Sequence, residues 1–202
     1  MGRESKVEYA DGKDRAQVKA HLDSETLELT GGKKLKLPLA SVKSAIVDGG
    51  LLKIAAGAQK FTLALGAKEA EAWRKKILNP PSLADKLGFK PDKSVALIGD
   101  VPPEIAAAAK TAKAAAAAAK LPKTIAADIA ALMLVPGQEE QLIVASAKAL
   151  APKSALWLVY EKGRAVNGDH VIALARQVGL KDTKVARVSQ THAALRFIKG
   201  GK

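Results

Sequence analysis

Cysteine is absent from the 202-residue sequence, so the chain cannot form a disulfide, a thiol nucleophile or a thiolate metal site. Aromatic residues are scarce, with three Phe, two Trp and two Tyr, which leaves few side chains for stacking on nucleic-acid bases. No uncharged apolar run reaches the ~18 residues that a transmembrane helix needs. The Met1-Gly2-Arg3-Glu4 start also lacks the apolar core of a secretion signal. These absences predict a cytoplasmic protein without a membrane span.

Positive charge is the strongest bias in what is present. The 33 Lys and Arg residues exceed the 20 Asp and Glu residues, which gives a net charge of +13. Such an excess attracts nucleic acid or anionic lipid without sequence specificity. Most of the basic residues are lysines scattered along the whole chain, whereas recognition of phosphates and bases favours arginine forks. A solvated basic surface is therefore the favoured interpretation, and electrostatic association with nucleic acid is the alternative.

The first third of the chain has the pattern of an antiparallel β-meander. Apolar residues alternate from about residue 6 to residue 65, as in Val18, Ala20 and Leu22. The pairs Gly31-Gly32 and Gly49-Gly50 interrupt these runs and predict tight turns. Helical spacing then follows in residues 67 to 77, so six or seven strands are expected to be closed by one helix.

A linker is predicted at residues 79 to 81, because two consecutive prolines in Asn79-Pro80-Pro81 cannot continue a helix. It separates a first domain, residues 1–79, from a second domain, residues 82–200. Strands and helices alternate in the second domain, which predicts a mainly parallel sheet with an antiparallel edge hairpin. The predicted strands are 94–99, 128–135 and 155–160, with a closing hairpin at 184–198. The predicted helices are a short one that Ser82 caps and that ends near Gly88, one at 138–150 and one capped by Asp169.

The alanine-rich segment at residues 105 to 120 has two interpretations. It is either a thin crossover helix that packs on the sheet or a low-complexity exposed arm like those of basic chromatin proteins. The helix is favoured, because alanine is the strongest helix former and a crossover helix is required between parallel strands.

The first domain resembles the pleckstrin-homology (PH) family. The resemblance covers residues 5 to 78 and rests on the strand order, on LPLASVKSAIVDGG at residues 37–50 and on the helix AKEAEAWRKKI at residues 67–77. It implies an all-β barrel with a C-terminal helix that plugs one open end and carries Trp73 facing the interior.

The second domain resembles a shortened S-adenosylmethionine-dependent methyltransferase with a Rossmann-like sheet. The resemblance is carried in order by LGFKPDKSVALIGDVPPE (87–104), ADIAALMLV (127–135), LAPKSALWLVYEKG (150–163), DHVIALARQVGL (169–180) and the hairpin at 184–198. The whole pattern, including KVARVS and ALRF, is similar to a small bacterial domain family of unknown function. His192 stands where that family usually has an aromatic residue, so no role is carried over to this position.

The cofactor loop of such sheets is poorly represented. Dinucleotide and methyl-donor sites need several glycines after the first strand and an acidic side chain after the second. The loop here is Gly99-Asp100-Val101-Pro102-Pro103, and nothing between Ala106 and Lys123 predicts a second strand with an acidic end. We therefore expect no bound cofactor and a ligand half of the sheet that is missing. Gly99 and Asp100 are the best candidates for a ligand-binding role, with Asp100 as a simple helix cap as the alternative.

Other candidate sites are weaker. His21, His170 and His192 have no partner at metal-ligand spacing, so no metal site is expected. Lys13, Arg15 and Lys19 surround an early turn and resemble the basic cluster with which some PH domains hold phosphoinositides. Asp11 and Asp14 interleave with them and oppose phosphate binding.

The sequence thus favours a non-enzymatic binding or regulatory protein with a protein-interaction role. One alternative is a sensor or enzyme that binds a nucleotide or S-adenosylmethionine-type ligand beside Gly99 and Asp100. The other is electrostatic binding of nucleic acid.

Overall fold

A computed structural model describes residues 2–12, 14–163 and 166–200. The chain divides into two compact units, Met1–Pro81 and Ser82–Lys202. Within the described residues, no helix combines the length and the apolarity needed to cross a membrane.

Unit 1 is a seven-stranded antiparallel sheet followed by one helix. Its elements are β1 (Arg3–Ala10), β2 (Arg15–Leu22), β3 (Thr26–Gly31), β4 (Leu35–Pro38), β5 (Ser44–Asp48), β6 (Leu51–Ala56), β7 (Gln59–Ala64) and α1 (Ala67–Leu78). The strand order is β4-β3-β2-β1-β7-β6-β5, so β4 and β5, consecutive in the chain, lie at opposite ends of the sheet. The alternation in the sequence is confirmed, since alternate residues from Val18 to Leu22 in β2 and from Leu52 to Ala56 in β6 are buried.

Helix α1 covers the interior of this sheet. Ala70, Trp73 and Ile77 share one face and are buried, as their spacing predicts. The helix begins beside the tight turn Gly49-Gly50, where both glycines have positive φ values of 54° and 87°. A side chain at Gly50 would meet the backbone nitrogen of Ala67 at 3.0 Å, so only glycine allows this approach.

Unit 2 is a six-stranded mixed sheet with helices on both faces. Its elements are α2 (Leu83–Leu87), β8 (Ser94–Ile98), α3 (Pro103–Ala109), β9 (Ala114–Ala118), β10 (Ile129–Met133), α4 (Glu139–Ala149), β11 (Ala155–Glu161), α5 (Gly168–Gln177), β12 (Leu180–Arg187) and β13 (His192–Lys199). The order is β12-β13-β11-β10-β8-β9, with β9, β8, β10 and β11 parallel and the β12–β13 hairpin antiparallel at one edge.

Strand β11 forms the centre of unit 2. Its alternate residues Leu156 and Leu158 face the core covered by α4 and α5, while Trp157 and Val159 face the core covered by α2 and α3. All four are fully buried, which explains the continuous apolar run in the sequence.

The alanine-rich segment contradicts both sequence interpretations. Helix α3 ends at Ala109, and residues Ala114–Ala118 form an edge strand instead of continuing the helix to Lys120. Thr111 follows the end of the helix, and its hydroxyl lies within hydrogen-bond distance of the Ala108 carbonyl (2.9 Å) and the Phe89 carbonyl (3.2 Å). Pairing with β8 then satisfies the backbone groups that β8 would otherwise leave open, and this outweighs the helix preference of alanine.

The helix caps show one confirmed prediction and two corrections. Ser82 caps α2 in a reciprocal arrangement with Asp85, as its position predicts. Asn167, and not Asp169, caps α5, because its side chain accepts from the His170 N–H at 2.8 Å. Asp100 does not cap α3, since Pro102 occupies the N-cap position without a side-chain hydrogen bond.

Candidate functional site

The carboxyl ends of β8 and β10 form the point where the strand order of the parallel sheet reverses. The chain passes from β8 to β9 on one side and then to β10 on the other. In doubly wound sheets, ligands bind at this point, outside the carboxyl ends of the strands. Gly99 and Asp100 lie here, as the sequence predicts, directly after β8.

The loop after β8 offers few donors to an anionic cofactor. The Gly99 N–H donates to the Ala118 carbonyl at 2.9 Å, and the Val101 N–H donates to the Gly99 carbonyl at 3.0 Å. Pro102 and Pro103 have no N–H. The Asp100 N–H is therefore the single remaining backbone donor between residues 99 and 103. Helix α3, which follows this loop, has only seven residues.

The second strand is present, contrary to the sequence expectation that this part of the sheet is missing. It is β9, which pairs in parallel with β8 from Ser94↔Ala114 to Ile98↔Ala118. The strand was missed because five consecutive alanines carry no strand signal. It is followed by Ala119 and Lys120, so no carboxylate stands where a ribose would be bound. The residues at this edge do not fit S-adenosylmethionine or a dinucleotide, and a ligand role for Gly99 and Asp100 stays a prediction.

One edge of the sheet of unit 2 is open along β9. Strand β9 terminates the sheet order, and its residues 114 to 117 are exposed. The Ala118 carbonyl accepts from the Gly99 N–H, so the backbone groups of Ala118 point toward β8. Because successive residues of a strand direct their N–H and C=O groups to opposite sides, those of Ala115 and Ala117 point away from β8. Such unpaired N–H and C=O groups form a template for another strand.

Lysines surround this edge. Residues 105 to 127 contain Lys110, Lys113, Lys120 and Lys123 and no carboxylate. All four are exposed, and none forms an ion pair within the described part of the chain. Three of them lie in the alanine-rich segment at residues 105 to 120, for which the sequence favours a helix, so their position at a sheet edge is not predicted by the sequence.

The connection from β9 to β10 contains no helix. Residues 119 to 128 cross β8 as an irregular segment, with Leu121 and Ile125 packed on the core. Ile125 is fixed to the end of α4, since its N–H donates to the Ala149 carbonyl at 2.8 Å and its carbonyl accepts from Ala151 at 3.1 Å. The shortened connection leaves β9 as the last strand and its outer edge uncovered.

In unit 1, the predicted basic cluster has acidic neighbours. Arg15 lies 3.6 Å from Glu8, and Lys19 lies 2.9 Å from Glu4. Lys13 falls outside the described residues. An anion or lipid role for this cluster stays a prediction.

Comparisons with known proteins give likenesses at the level of structure alone. No protein-family model matches the sequence, and no curated protein matches it significantly. Among solved structures, the chain is similar to the N-terminal PH domain of human ARAP2, with 12% identity over 39% of this chain and 77% of that one and a TM-score of 0.35. It is also similar to a TehB-like SAM-dependent methyltransferase from Corynebacterium glutamicum, with 12% identity over 65% of this chain and 96% of that one and a TM-score of 0.40.

A further similarity is to human N-acetylserotonin methyltransferase in complex with SAM. It has 10% identity over 63% of this chain and 53% of that one, with a TM-score of 0.46. Both resemblances noted in the sequence, to PH domains and to methyltransferases, thus recur among solved structures. Since these TM-scores are below 0.5, the fold of each unit is defined by its own strand order.

Proposed function

We propose that the protein is a non-enzymatic binding protein whose α/β unit adds an extended, acidic peptide of a protein partner to the free edge of β9. The observation that carries this proposal is the exposed, unpaired edge of Ala114–Ala118 between Lys113 and Lys120. Strand addition obtains affinity from main-chain hydrogen bonds and specificity from the flanking side chains.

The small side chains of β9 support strand addition. Alanine methyl groups leave the backbone groups of Ala115 and Ala117 open to an approaching strand from either face of the sheet. The exposed edge also has neither proline nor a bulky residue that would block pairing.

The positive charge around β9 favours an acidic peptide as the binding partner. Lys113 and Lys120 flank the strand, and Lys110 and Lys123 extend the positive surface. A second copy that paired antiparallel through β9 would bring each flanking lysine within about one residue of a lysine of the other copy, which is repulsive. A peptide with carboxylates on both sides of a short strand-forming segment is complementary instead.

The proposal is tested with a displayed library of random peptides about twelve residues long, selected on the full chain. We expect enriched peptides to carry Asp or Glu on both sides of a β-branched segment without proline. A117P removes an outward N–H without removing a bond to β8, because proline is tolerated at a sheet edge. It should weaken binding at least tenfold, whereas the control A117T keeps the N–H and should bind like the wild-type protein.

A second pair of variants tests the charge. The double variant K113E/K120E should abolish binding of the enriched peptides, and K162Q, at the carboxyl end of β11, should not. Peptides that bind A117P as tightly as A117T would contradict the proposal. The proposal would also be contradicted if no peptide were enriched while the chain bound duplex DNA tightly and in a salt-sensitive way. That result would support the nucleic-acid alternative.

The cofactor alternative makes a separate prediction. Because the loop at residues 99–103 holds one free backbone donor, about 1 mM S-adenosylmethionine should leave the melting temperature unchanged. Glycine at Val101 or Pro102 should not create binding either, since the carboxylate after β9 is also absent. A stabilisation by S-adenosylmethionine or a nucleotide that is lost in D100N would contradict the non-enzymatic assignment.

A further inference from the structure

A basic pocket lies at the amino ends of β8, β10 and β11. These ends are opposite the carboxyl ends where Gly99 and Asp100 lie. Its volume is about 390 Å³. Apolar atoms of Leu87, Ile129 and Ala155 contribute to its lining. Two carboxylates, Asp92 and Asp128, are outnumbered by the basic side chains of the pocket, which are Lys86, Lys90, Lys93, Lys153, Lys184 and Arg196.

One of the two carboxylates in the basic pocket is already engaged. The Asp128 carboxylate accepts from the Ser94 N–H at 2.9 Å and from the Ser94 hydroxyl at 2.8 Å. Lys93 lies 3.5 Å from the same carboxylate. Asp128 thus compensates Lys93, whereas Lys153, Lys184 and Arg196 form no ion pair with a described residue.

Two like-charged residues face each other across a strand pair in the basic pocket. Lys184 of β12 is directly opposite Arg196 of β13, next to a register shift at Asp182/Lys184. Like charges in this position are destabilising, and an irregularity of this kind redirects side chains. Lys184 Nζ donates to the Lys86 carbonyl at 2.7 Å, and Arg196 Nη1 donates to the Thr183 hydroxyl at 3.1 Å. Neutral acceptors hold both groups without cancelling their charge.

Lys153, also in the basic pocket, has an unfavourable backbone conformation. Its φ is 70°, and among the described residues it alone has a positive φ without being glycine. Lys153 follows Pro152 in the turn 151–154, which is closed by the Ser154 N–H donating to the Ala151 carbonyl at 3.2 Å. Glycine is the residue expected at the third position of such a turn, where Lys153 lies. Lys153 makes no hydrogen bond or ion pair with a described residue.

The frame around these cations is rigid. Fully buried Trp157 donates from Nε1 to the Leu87 carbonyl at 2.9 Å and fixes the end of α2 to the sheet. Ser154 is buried and donates to the Ala127 carbonyl at 2.7 Å, which fixes the turn that carries Lys153. This fixed frame therefore places Lys153, Lys184 and Arg196 around one pocket.

We propose that the basic pocket binds a small anion that carries two or more phosphate groups. A ligand of this class would neutralise the Lys184–Arg196 pair and give Lys153 the partner it lacks. The volume is in the range of small-molecule sites. The pocket is separate from the β9 edge and does not depend on the proposed peptide binding.

The test is isothermal titration calorimetry of the full chain with inorganic tripolyphosphate at physiological salt. We expect one site per chain. K153Q removes a charge from the pocket and should weaken binding at least fivefold. The matched control K162Q removes a charge at the carboxyl end of β11, keeps a donor for the Ser189 carbonyl, and should leave affinity unchanged.

K153G separates binding from folding. It removes the same charge and also relieves the left-handed backbone, so it should weaken tripolyphosphate binding while the melting temperature stays equal or rises. Vesicles of phosphatidylcholine with and without phosphatidylinositol bisphosphate distinguish a lipid headgroup from a free phosphate as the source. Either source supports the proposal if K153Q reduces its binding.

Three results would overturn it. The first is that neither tripolyphosphate nor the phosphoinositide vesicles bind saturably. The second is that K153Q and K162Q weaken tripolyphosphate binding equally. The third is that K153G lowers the melting temperature and leaves the affinity for tripolyphosphate unchanged.

Discussion

At the scale of single residues, Ser94 and Asp128 form a reciprocal pair that joins the start of β8 to the residue before β10. The Asp128 N–H donates to the Ser94 hydroxyl at 3.0 Å, and the Asp128 carboxylate accepts from both donors of Ser94. The pKa of the Asp128 carboxyl lies below its ordinary value. The main cause is the hydrogen bond from the Ser94 N–H, and the second is the hydrogen bond from the Ser94 hydroxyl. The folded state thus favours the ionised carboxylate.

This lowered pKa predicts the pH dependence of D128N. Stability from Asp128 is complete above the unfolded-state pKa and is lost as pH falls through the lower folded-state pKa, so the loss begins below about pH 4. D128N should therefore lose less stability than the wild-type protein between neutral and acid pH, measured as urea midpoints across the range. D92N changes a nearby carboxyl without a hydrogen-bond partner among the described residues and should follow the wild-type curve. Equal slopes for D128N and wild type would contradict the prediction.

At the scale of elements, β9 shows that tertiary pairing can override local preference. Alanine has the highest helix propensity, yet Ala114–Ala118 is a strand because β8 supplies a complete set of hydrogen-bond partners. Helix α3 stops at Ala109, two residues before Thr111, whose hydroxyl lies 3.2 Å from the carbonyl of Phe89, a residue distant in the sequence. The same alanines that predicted a helix thus produce an edge with little side-chain cover.

The isolated peptide of residues 103–120 should therefore be helical. Without β8, its alanines have no strand partner, and a peptide of this length and composition is long enough for measurable helix in the cold. Circular dichroism near 0 °C should show a helical spectrum that A115G weakens, because glycine costs about 1 kcal/mol in a helix interior. A strand-like or coil spectrum would mean that the local sequence, and not the sheet, prevents the helix.

At the scale of the whole molecule, each unit has its own core and one tryptophan. Trp73 is fully buried in unit 1, and Trp157 is fully buried in unit 2. The buried clusters of the two units share no residue. The fluorescence of each tryptophan can therefore report the unfolding of its own unit.

We predict that a cavity in one core destabilises only that unit. In a W73F background, where Trp157 reports on unit 2, L156A should lower the free energy of unfolding by about 2–5 kcal/mol. L52A makes the same change at a fully buried position of unit 1 and should leave the Trp157 transition in urea unchanged. Equal shifts from L156A and L52A would show that the two units unfold together.

Much of the fold was predictable because its elements carry regular signals. Period-two alternation placed the strands of unit 1, the Ala70, Trp73 and Ile77 spacing placed α1, and the apolar run at 155–160 placed β11. Ser82 marked the start of α2 through its capping chemistry. The candidate sites were harder to predict, because Lys153, Lys184 and Arg196 are far apart in the sequence and meet only through the sheet.

The sequence by itself determined the absence of cysteine chemistry, the excess of positive charge, the order of most strands and helices, and the proline-rich loop after β8. These properties depend on residue type or on contacts within a few positions. Only the tertiary structure decided that residues 114–118 form the last strand of the sheet, that its outer edge is open, and that the basic side chains of unit 2 converge on one pocket. A strand edge and a pocket consist of groups that distant segments bring together or leave uncovered, so their chemistry depends on packing that no local pattern encodes.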